Sequence, residues 1–280
     1  MKEFKGRVAV VTGAAEGIGR AIAQEAAARG MKLLLADIDQ SRLDAATAEL
    51  REMGADADGL RTDVAKPGQV DDLADLAFAR FGHVHLLVAN AGVACAKPVW
   101  ETTPQDWEWV MGVNLYGVTN ALRSFLPRMI AGGHEGRVVA TASMAGLLSL
   151  PSMAAYNASK HAVVTVMEGL HHDLTLRGAK VGASVLCPSW VKTRITLSER
   201  NRTAGEATRV EALDPVAAKM VGSVHHAVAH GIEPADAALA VFDAVSQGRF
   251  YILTHGNSKA GVKSRLDDIL EDRAPTLVRL

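Results

Sequence analysis

The stretch that decides the fold reads Val8-Ala9-Val10-Val11-Thr12-Gly13-Ala14-Ala15-Glu16-Gly17-Ile18-Gly19. A short β-branched run leads into three spaced glycines, and an alanine-rich helical pattern follows them. Glycines allow a tight turn and let a pyrophosphate approach the helix N-terminus, where free N–H groups and the helix dipole favour negative charge. The stretch therefore predicts a nucleotide-binding turn after the first strand. The glycines alone would also suit a strand-to-helix turn that binds nothing.

The rest of the chain repeats the alternation of a short apolar run with a longer helical pattern. The predicted strands are residues 8–11, 32–36, 85–89, 137–140, 181–186 and 250–253. The predicted helices are residues 19–29, 41–53, 69–81, 104–130 and 154–177, with a further helix opened by Pro234 and a coil or short helix at the end. Almost continuously apolar strands are typical of a parallel sheet buried on both faces. We therefore predict an α/β fold, a Rossmann-like doubly wound parallel sheet with helices on both faces.

The length of 280 residues suits one α/β domain. Because this length suits one domain, we expect residues 1–280 to form a single dinucleotide-binding catalytic domain. Residues 194–232 depart from this alternation of strands and helices, because they are polar at first and then helical, with no strand to pair. We expect them to form a substrate loop or lid. The start of the chain lacks the pattern of a signal peptide, and no apolar stretch approaches the ~20 residues that span a bilayer. We expect a cytoplasmic protein with no membrane association.

Composition narrows the classes of partner. The formal net charge is -1, and no basic block could neutralise a run of phosphates, so nucleic acid is not an expected partner. Two cysteines, Cys95 and Cys187, give neither a disulfide framework nor metal-ligand spacing. The paired histidines at 171–172 and 225–226 are adjacent along helices and point in different directions. No metal site is expected.

An acid ends the second predicted strand at Asp37, roughly 20 residues beyond the glycine turn. A carboxylate there can bind both hydroxyls of the adenosine ribose and would repel a 2′-phosphate. Glu16, beside the expected phosphate loop, adds a second negative charge. The pair predicts NAD (NAD+/NADH) as cofactor in preference to NADP. The alternative for Asp37 is a simple cap at the end of the strand.

Three side chains could carry the chemistry. Tyr156 and Lys160 are one helical turn apart and so share a face of their helix. A nearby ammonium stabilises a phenolate, which should lower the high pKa of tyrosine and ease proton transfer. Ser143 follows a predicted strand and should lie at the carboxyl edge of the sheet, where ligands bind in open α/β folds. Together they predict proton transfer to or from a substrate carbonyl oxygen.

With these motifs in this order, the chain resembles the short-chain dehydrogenase/reductase family in its single-domain, NAD-preferring branch. The resemblance runs from Val8 to about Thr193 and also includes Asn90-Ala91-Gly92 and Asn114. It implies that the catalytic residues are Asn114, Ser143, Tyr156 and Lys160.

The resemblance also implies particular roles. Tyr156 would be the general acid/base, Ser143 would polarise the carbonyl, and Lys160 would bind the nicotinamide ribose and acidify Tyr156. Asn114 would anchor a water in a proton relay, and Thr193 would bind the nicotinamide carboxamide with the backbone of Val191. The expected cofactor-binding residues are Gly13, Glu16, Gly17, Ile18, Gly19, Asp37, Asp63, Val64, Asn90, Ala91, Gly92, Tyr156, Lys160, Pro188, Val191 and Thr193.

The substrate should be a lipophilic secondary alcohol or its ketone, because residues 144–155 and Trp190 offer mainly apolar walls. Leu147, Leu148 and Met153 could equally belong to the core. The long helices 104–130 and 154–177 are apolar around much of their circumference, and relatives usually pair them, so we expect a homodimer or homotetramer.

Two departures from the family pattern concern the fine geometry of the site. Ser189 follows Pro188 where glycine is common, and Ala89 precedes Asn90 where asparagine is common. A non-catalytic NAD-binding regulator on the same fold is the main alternative function. A sugar-nucleotide epimerase is disfavoured by the glycine spacing and by the lack of a large C-terminal substrate domain.

Overall fold

The computed structural model describes residues 1–202 and 215–277. Its strands are β1 (Val8–Thr12), β2 (Lys32–Asp37), β3 (Ala57–Arg61), β4 (Leu86–Ala89), β5 (Gly136–Thr141), β6 (Val181–Cys187) and β7 (Tyr251–Leu253). In the described ranges these seven strands form one parallel sheet in the order β3-β2-β1-β4-β5-β6-β7. The predicted doubly wound α/β fold is confirmed.

Helices cover both faces of the sheet. The helices of the described residues are α1 (Gly17–Ala28), α2 (Gln40–Glu52), α3 (Pro67–Phe81), α4 (Pro104–Met111), α5 (Gly117–Ala131), α6 (Ala154–Leu176), α7 (Pro215–Ala229), α8 (Pro234–Gln247) and α9 (Ser258–Leu270). One apolar cluster joins α3, α5 and α6 to the sheet and includes Val10 and Phe125. The other joins α1, α2 and α8 to the opposite face and includes Val11 and Phe242. Consecutive side chains of β1 thus pack on opposite faces of the sheet, each in a different apolar cluster. This is why a strand buried on both faces has a continuous run of apolar residues in the sequence.

The chain changes direction across the sheet between β1 and β4, which lie side by side in the register Val11↔Val88. A crevice forms at such a point because the loops after the two strands diverge to opposite faces. The glycine turn leaves β1 at this edge, and Asn90 follows β4 there. Ser143 follows the next strand, β5, at the same edge. The topology therefore collects the predicted motifs in one place.

Some elements differ from the prediction. The apolar pattern gave no strand at β3, an edge strand whose residues are mostly only partly buried. The predicted helix 104–130 is divided, because a π-helical turn, Gly112–Tyr116, lies between α4 and α5. The chain closes with α9, which has 13 residues and is longer than the coil or short helix expected.

The predicted substrate loop, residues 194–232, is described only in part. It begins with a 3₁₀ helix, Ile195–Asn201, and later contains α7. Residues 203–214 lie outside the described residues. Ile232 at its end forms a parallel bridge with Val191. None of the helices in the described part of the chain is both long and apolar enough to cross a bilayer.

Candidate active site

The glycine turn leaves no room for side chains. A Cβ on Gly13 would lie 2.8 Å from the Cα of Ala91, and one on Gly19 would lie 2.1 Å from the carbonyl oxygen of Gly13. Gly17 has a φ of 57°, in the left-handed region that glycine adopts most readily. Glu16, at the N-cap of α1, makes no capping hydrogen bond with its side chain. The turn therefore brings bare backbone to the N-terminus of α1.

Asn90 holds the carboxyl ends of three strands together. Its Nδ2 donates to the carbonyl oxygens of Thr12 and Gly13 at 3.1 and 3.3 Å. Its Oδ1 accepts a hydrogen bond from the Thr141 hydroxyl at 3.0 Å, and its own backbone N–H donates to Thr12 Oγ1 at 2.9 Å. The side chain thus fixes the crevice floor between β1, β4 and β5.

Asp37 lines the crevice at the end of β2. Its carboxylate accepts hydrogen bonds from the backbone N–H groups of Ala15 at 3.0 Å and Asp39 at 3.1 Å. Burial raises the pKa of Asp37, and these backbone hydrogen bonds act in the opposite direction. The carboxylate is therefore both a local cap, the alternative considered from the sequence, and a group facing the crevice.

Glu16 differs from the expectation. It was expected to add an uncompensated negative charge, but its carboxylate forms ion pairs with Arg42, Arg194 and Arg200. The sequence reasoning failed because these arginines are far from Glu16 along the chain. The negative charge of Glu16 is therefore compensated within the crevice.

Tyr156, Lys160 and Ser143 converge at the same edge. The Lys160 side chain is almost fully buried, its Nζ donates to the carbonyl oxygen of Thr141 at 2.8 Å, and it lies 5.7 Å from the centroid of the Tyr156 ring. Burial lowers the pKa of Lys160 to about 8, although a nearby thiol, Cys187, acts in the opposite direction. Lys160 can therefore exchange a proton close to neutral pH.

The pKa of Tyr156 shifts in the direction opposite to the prediction. Burial raises it, and the hydrogen bond with Ser143 opposes that shift. Ser143 Oγ also accepts a hydrogen bond from the N–H of Ala145 at 3.1 Å, which fixes the hydroxyl at the end of β5. The sequence pairing of Tyr156 with Lys160 gave their proximity but could not give the cost of burying the phenolate.

Asn114 lies in the π-helical turn and is fully buried. Its Nδ2 donates to the carbonyl oxygen of Val93 and to Ser159 Oγ, both at 2.9 Å, and its Oδ1 accepts from the N–H of Val93 at 2.8 Å. A Cβ on Gly92 would lie 3.4 Å from both Asn114 Oδ1 and Lys160 Nζ. Asn114 therefore joins the loop after β4 to α6, and Gly92 lies between the Asn114 and Lys160 side chains.

One crevice of about 900 Å³ connects most of the predicted residues. Those that line it are Gly13, Glu16, Gly17, Ile18, Asp37, Asp63, Val64, Asn90, Ala91, Gly92, Ser143, Tyr156, Lys160, Pro188, Val191 and Thr193. Gly19 and Asn114 are behind this lining and support it through the contacts described above.

One end of the crevice has an apolar wall. Leu148, Met153 and Trp190, which the sequence placed near the substrate, line it, whereas Leu147 packs against the core. Leu150 of the predicted wall 144–155 also lines it, as do Ile195, Val224 and Val228 of the predicted substrate loop. The sequence did not indicate two further lining residues, Trp109 of α4 and Ser258 of α9. Val224 and Val228 are one turn apart on α7, and that spacing is the signal that could have indicated a shared apolar face.

In the described ranges no group of three or more His, Cys, Asp or Glu side chains is arranged to hold a metal ion. The paired histidines at 171–172 and 225–226 are exposed. The chemical groups of the crevice are thus a hydroxyl, a phenol, an ammonium and a bare helix N-terminus. These suit an organic ligand with an anionic centre and proton transfer to a nearby oxygen.

Comparison with known proteins gives a consistent result. The sequence model of the short chain dehydrogenase family matches residues 7–204. The crystal structure of a short chain dehydrogenase/reductase from Burkholderia phymatum, in complex with NAD, is 46% identical, with a TM-score of 0.95 and 100% of both chains covered. The CLA biosynthesis dehydrogenase/reductase of Lactiplantibacillus plantarum is 36% identical over 98% of this chain and 97% of that protein. The 1-deoxy-11-beta-hydroxypentalenate dehydrogenase of Streptomyces avermitilis is 33% identical over 93% and 89%.

Proposed function

The chain belongs to the short-chain dehydrogenase/reductase family, and from that premise we propose that it is an NAD-dependent oxidoreductase interconverting a lipophilic secondary alcohol and its ketone. The observation that carries the proposal is the convergence of Tyr156, Ser143 and Lys160 on the crevice that also contains the glycine turn. A binding protein without catalysis would not need a phenol and a buried amine side by side.

The residues around the glycine turn fit a dinucleotide. A Cβ on Gly13 or Gly19 would lie within 3 Å of neighbouring backbone atoms, so the turn presents only backbone. The N-terminus of α1 offers N–H groups to a diphosphate. Asp37 lines the crevice and would hold the adenosine ribose, and Asp63 and Val64 would contact the adenine. The nicotinamide of a dinucleotide bound there would supply the hydride acceptor for alcohol oxidation and, when reduced, the hydride donor for ketone reduction.

The proton is handled by the chain itself. In reduction, the Tyr156 hydroxyl gives its proton to the carbonyl oxygen, while the carbonyl carbon gains the hydride. In oxidation, the phenolate takes the proton back as the alcohol loses its hydride. Ser143, which hydrogen-bonds Tyr156, polarises the same oxygen. Lys160, with a pKa of about 8, is the group best suited to return a proton to Tyr156 at neutral pH.

The shape of the crevice supports a lipophilic substrate. Beside Tyr156, the wall consists of Leu150, Met153, Trp190 and residues of α7, with few polar side chains among them. The Streptomyces relative is named for a hydroxypentalenate, a compound that carries a hydroxyl group. We therefore propose bulky alicyclic or aryl secondary alcohols as the first substrates to examine.

The test replaces Tyr156 with Phe and uses Tyr251→Phe as the matched control. The Tyr251 hydroxyl donates a hydrogen bond to Glu168, and Tyr251 does not line the crevice. We expect Tyr156→Phe to keep NAD binding, measured by calorimetry, and to lower NADH formation over a panel of steroid, aryl and alicyclic alcohols by ~100-fold or more. Unchanged turnover would contradict the mechanism. If the native chain binds NAD but changes no alcohol or ketone, the non-catalytic regulator is the better description.

We further propose that residues 1–280 act as one catalytic domain, with residues 194–232 as its substrate loop, and that the chain is a homodimer or homotetramer. Exposed apolar residues support assembly, since Tyr116, at the end of the π-helical turn, is 55% exposed, and Leu176, at the end of α6, is 84% exposed. Light scattering after size-exclusion chromatography would detect a monomer if this is wrong.

A further inference from the structure

A cluster of three arginines surrounds Glu16 at the mouth of the crevice. Arg42 comes from α2, whereas Arg194 and Arg200 come from the segment that starts the substrate loop. Arg194 Nη1 lies 3.5 Å from Glu16 Oε2, and Arg42 and Arg200 form closer ion pairs with the same carboxylate. The ion pairs of Glu16 therefore bring arginines from two distant parts of the chain together at the start of α1.

The charges in this cluster do not balance. Arg42 also pairs with Asp39 at 3.3 Å, so three guanidiniums share two carboxylates. The N-terminus of α1 adds the positive end of a helix dipole at the same place. The Asp37 carboxylate, bound to the backbone N–H of Ala15, is also close, so it is the three guanidiniums together with the helix N-terminus that favour an anion at the mouth of the crevice. Arg194 and Arg200 both line the crevice, where the Arg200 side chain is 27% exposed and that of Arg194 is 44% exposed.

The segment that carries these arginines passes directly over the glycine turn. A Cβ on Gly17 would lie 3.1 Å from the Thr193 methyl carbon. Arg200 also donates to the carbonyl oxygens of Arg194 and Leu197 at 2.9 and 2.8 Å, which fixes its guanidinium within the 3₁₀ helix.

The far end of the segment is fixed independently. Arg202 pairs with buried Asp106 at 2.6 Å, and Ser198 Oγ accepts a hydrogen bond from the N–H of Ala94 at 3.1 Å. The segment that carries Arg194 and Arg200 is therefore anchored at its far end, while its two guanidiniums pair with Glu16.

We propose that Arg194 and Arg200 bind the diphosphate of the dinucleotide and that Glu16 holds their guanidiniums in place for it. The inference rests on the proposed function and adds two binding residues that the glycine motif does not include. Guanidiniums form strong, charge-assisted hydrogen bonds with phosphate oxygens, and both of these line the crevice that contains the N-terminus of α1. Ile195, between them, also lines the apolar end of the crevice, so the same segment contacts both halves of the site.

The experiment compares ligands that differ in the diphosphate. Calorimetry on the full chain would measure the affinity for NAD, ADP and adenosine in the native protein, Arg194→Ala, Arg200→Ala and the double variant. We expect each single variant to lower the affinity for NAD and for ADP on the order of tenfold, and the double variant to lower it further. The affinity for adenosine should change less than about twofold. Arg128→Ala is the matched control, because Arg128 forms an exposed ion pair with Asp75 far from the crevice.

The outcomes separate the inference from the proposed function. Equal loss of ADP and adenosine affinity would mean that the arginines only support the fold of the site, and unchanged ADP affinity would mean that they do not contact the diphosphate. Either result overturns the inference while leaving NAD binding intact. Arg194→Ala keeps the test valid if Arg200→Ala disturbs the 3₁₀ helix, since Arg194 contributes only its carbonyl oxygen to that helix. A native chain that binds neither NAD nor ADP would overturn both proposals.

Discussion

Replacing Lys160 with Met should stabilise the protein while removing its activity. The amine is 3% exposed, and its pKa is about 8 instead of the usual 10.5. A shift of this size corresponds to ~3 kcal/mol of cost for burying the charged form. The lost hydrogen bond to the Thr141 carbonyl oxygen offsets about 1–2 kcal/mol of the gain. The net increase in the free energy of unfolding at pH 7 is therefore about 1–2 kcal/mol.

The pH dependence gives the sharper measurement. The pKa of Lys160 is lower in the folded than in the unfolded chain, so the cost of burial is fully present below about pH 8 and disappears as the pH rises towards 10.5. The free energy of unfolding of Lys160→Met, relative to that of the native protein, should therefore fall by ~3 kcal/mol between these pH values, so that the variant becomes the less stable of the two near pH 10.5.

Urea denaturation at several pH values would measure this difference. The matched control is Lys192→Met, because Lys192 is an exposed lysine paired with Glu233. A difference in unfolding free energy that does not vary with pH would refute the reasoning, as would a Lys160→Met variant less stable than the native protein at every pH.

Three further predictions follow from the same structure. Asp37→Ser should lower the KM for NADP by about tenfold or more, because the repelling carboxylate is lost, whereas Asp39→Ser should change it little; steady-state kinetics with both cofactors would check this. Gly19→Ala should cost about 1–3 kcal/mol of stability and most NAD affinity, since its Cβ would meet the Gly13 carbonyl oxygen, whereas Gly68→Ala in α3 meets nothing and should cost none. Burial raises the pKa of Asp106, but hydrogen bonds from Lys97, Thr103 and Arg202 outweigh it and hold that pKa at about 2. The ionised carboxylate therefore stabilises the native protein above about pH 4, and this stability is lost as the pH falls towards 2. Asp106→Asn should remove it, which acid denaturation of the two proteins would measure.

The sequence predicted most of the fold because strands buried on both faces leave continuous apolar runs. β1 is such a strand, buried at every residue. β3 escaped detection since it is an edge strand that contains Asp58 and Gly59, and only its first residue is fully buried. Periodicity also missed the π-helical turn Gly112–Tyr116, because one extra residue barely changes an apolar pattern averaged over a long helix.

The site was predictable wherever its chemistry lies within one motif. Tyr156 and Lys160 are one turn apart, and their proximity follows from helix geometry. The ion pairs of Glu16 could not be predicted, because Arg194 and Arg200 approach it only through the fold. The same limit explains the wrong direction for the pKa of Tyr156, since burial is a property of the packed chain.

The π-helical turn also constrains how the sequence can vary in length. An i→i+5 turn holds about one residue more than an α-helical turn for nearly the same rotation, so deleting one residue from Gly112–Tyr116 would allow regular helix to continue from α4 into α5. The buried side chains before the turn, such as Val110, and those after it, such as Phe125, would then keep nearly the same directions around the axis. The cost would fall on the turn itself, because Asn114 would leave the α6 hydroxyl that it binds. Single-residue deletions in this segment should therefore preserve the packing of α4 and α5 far better than the hydrogen bonds of Asn114.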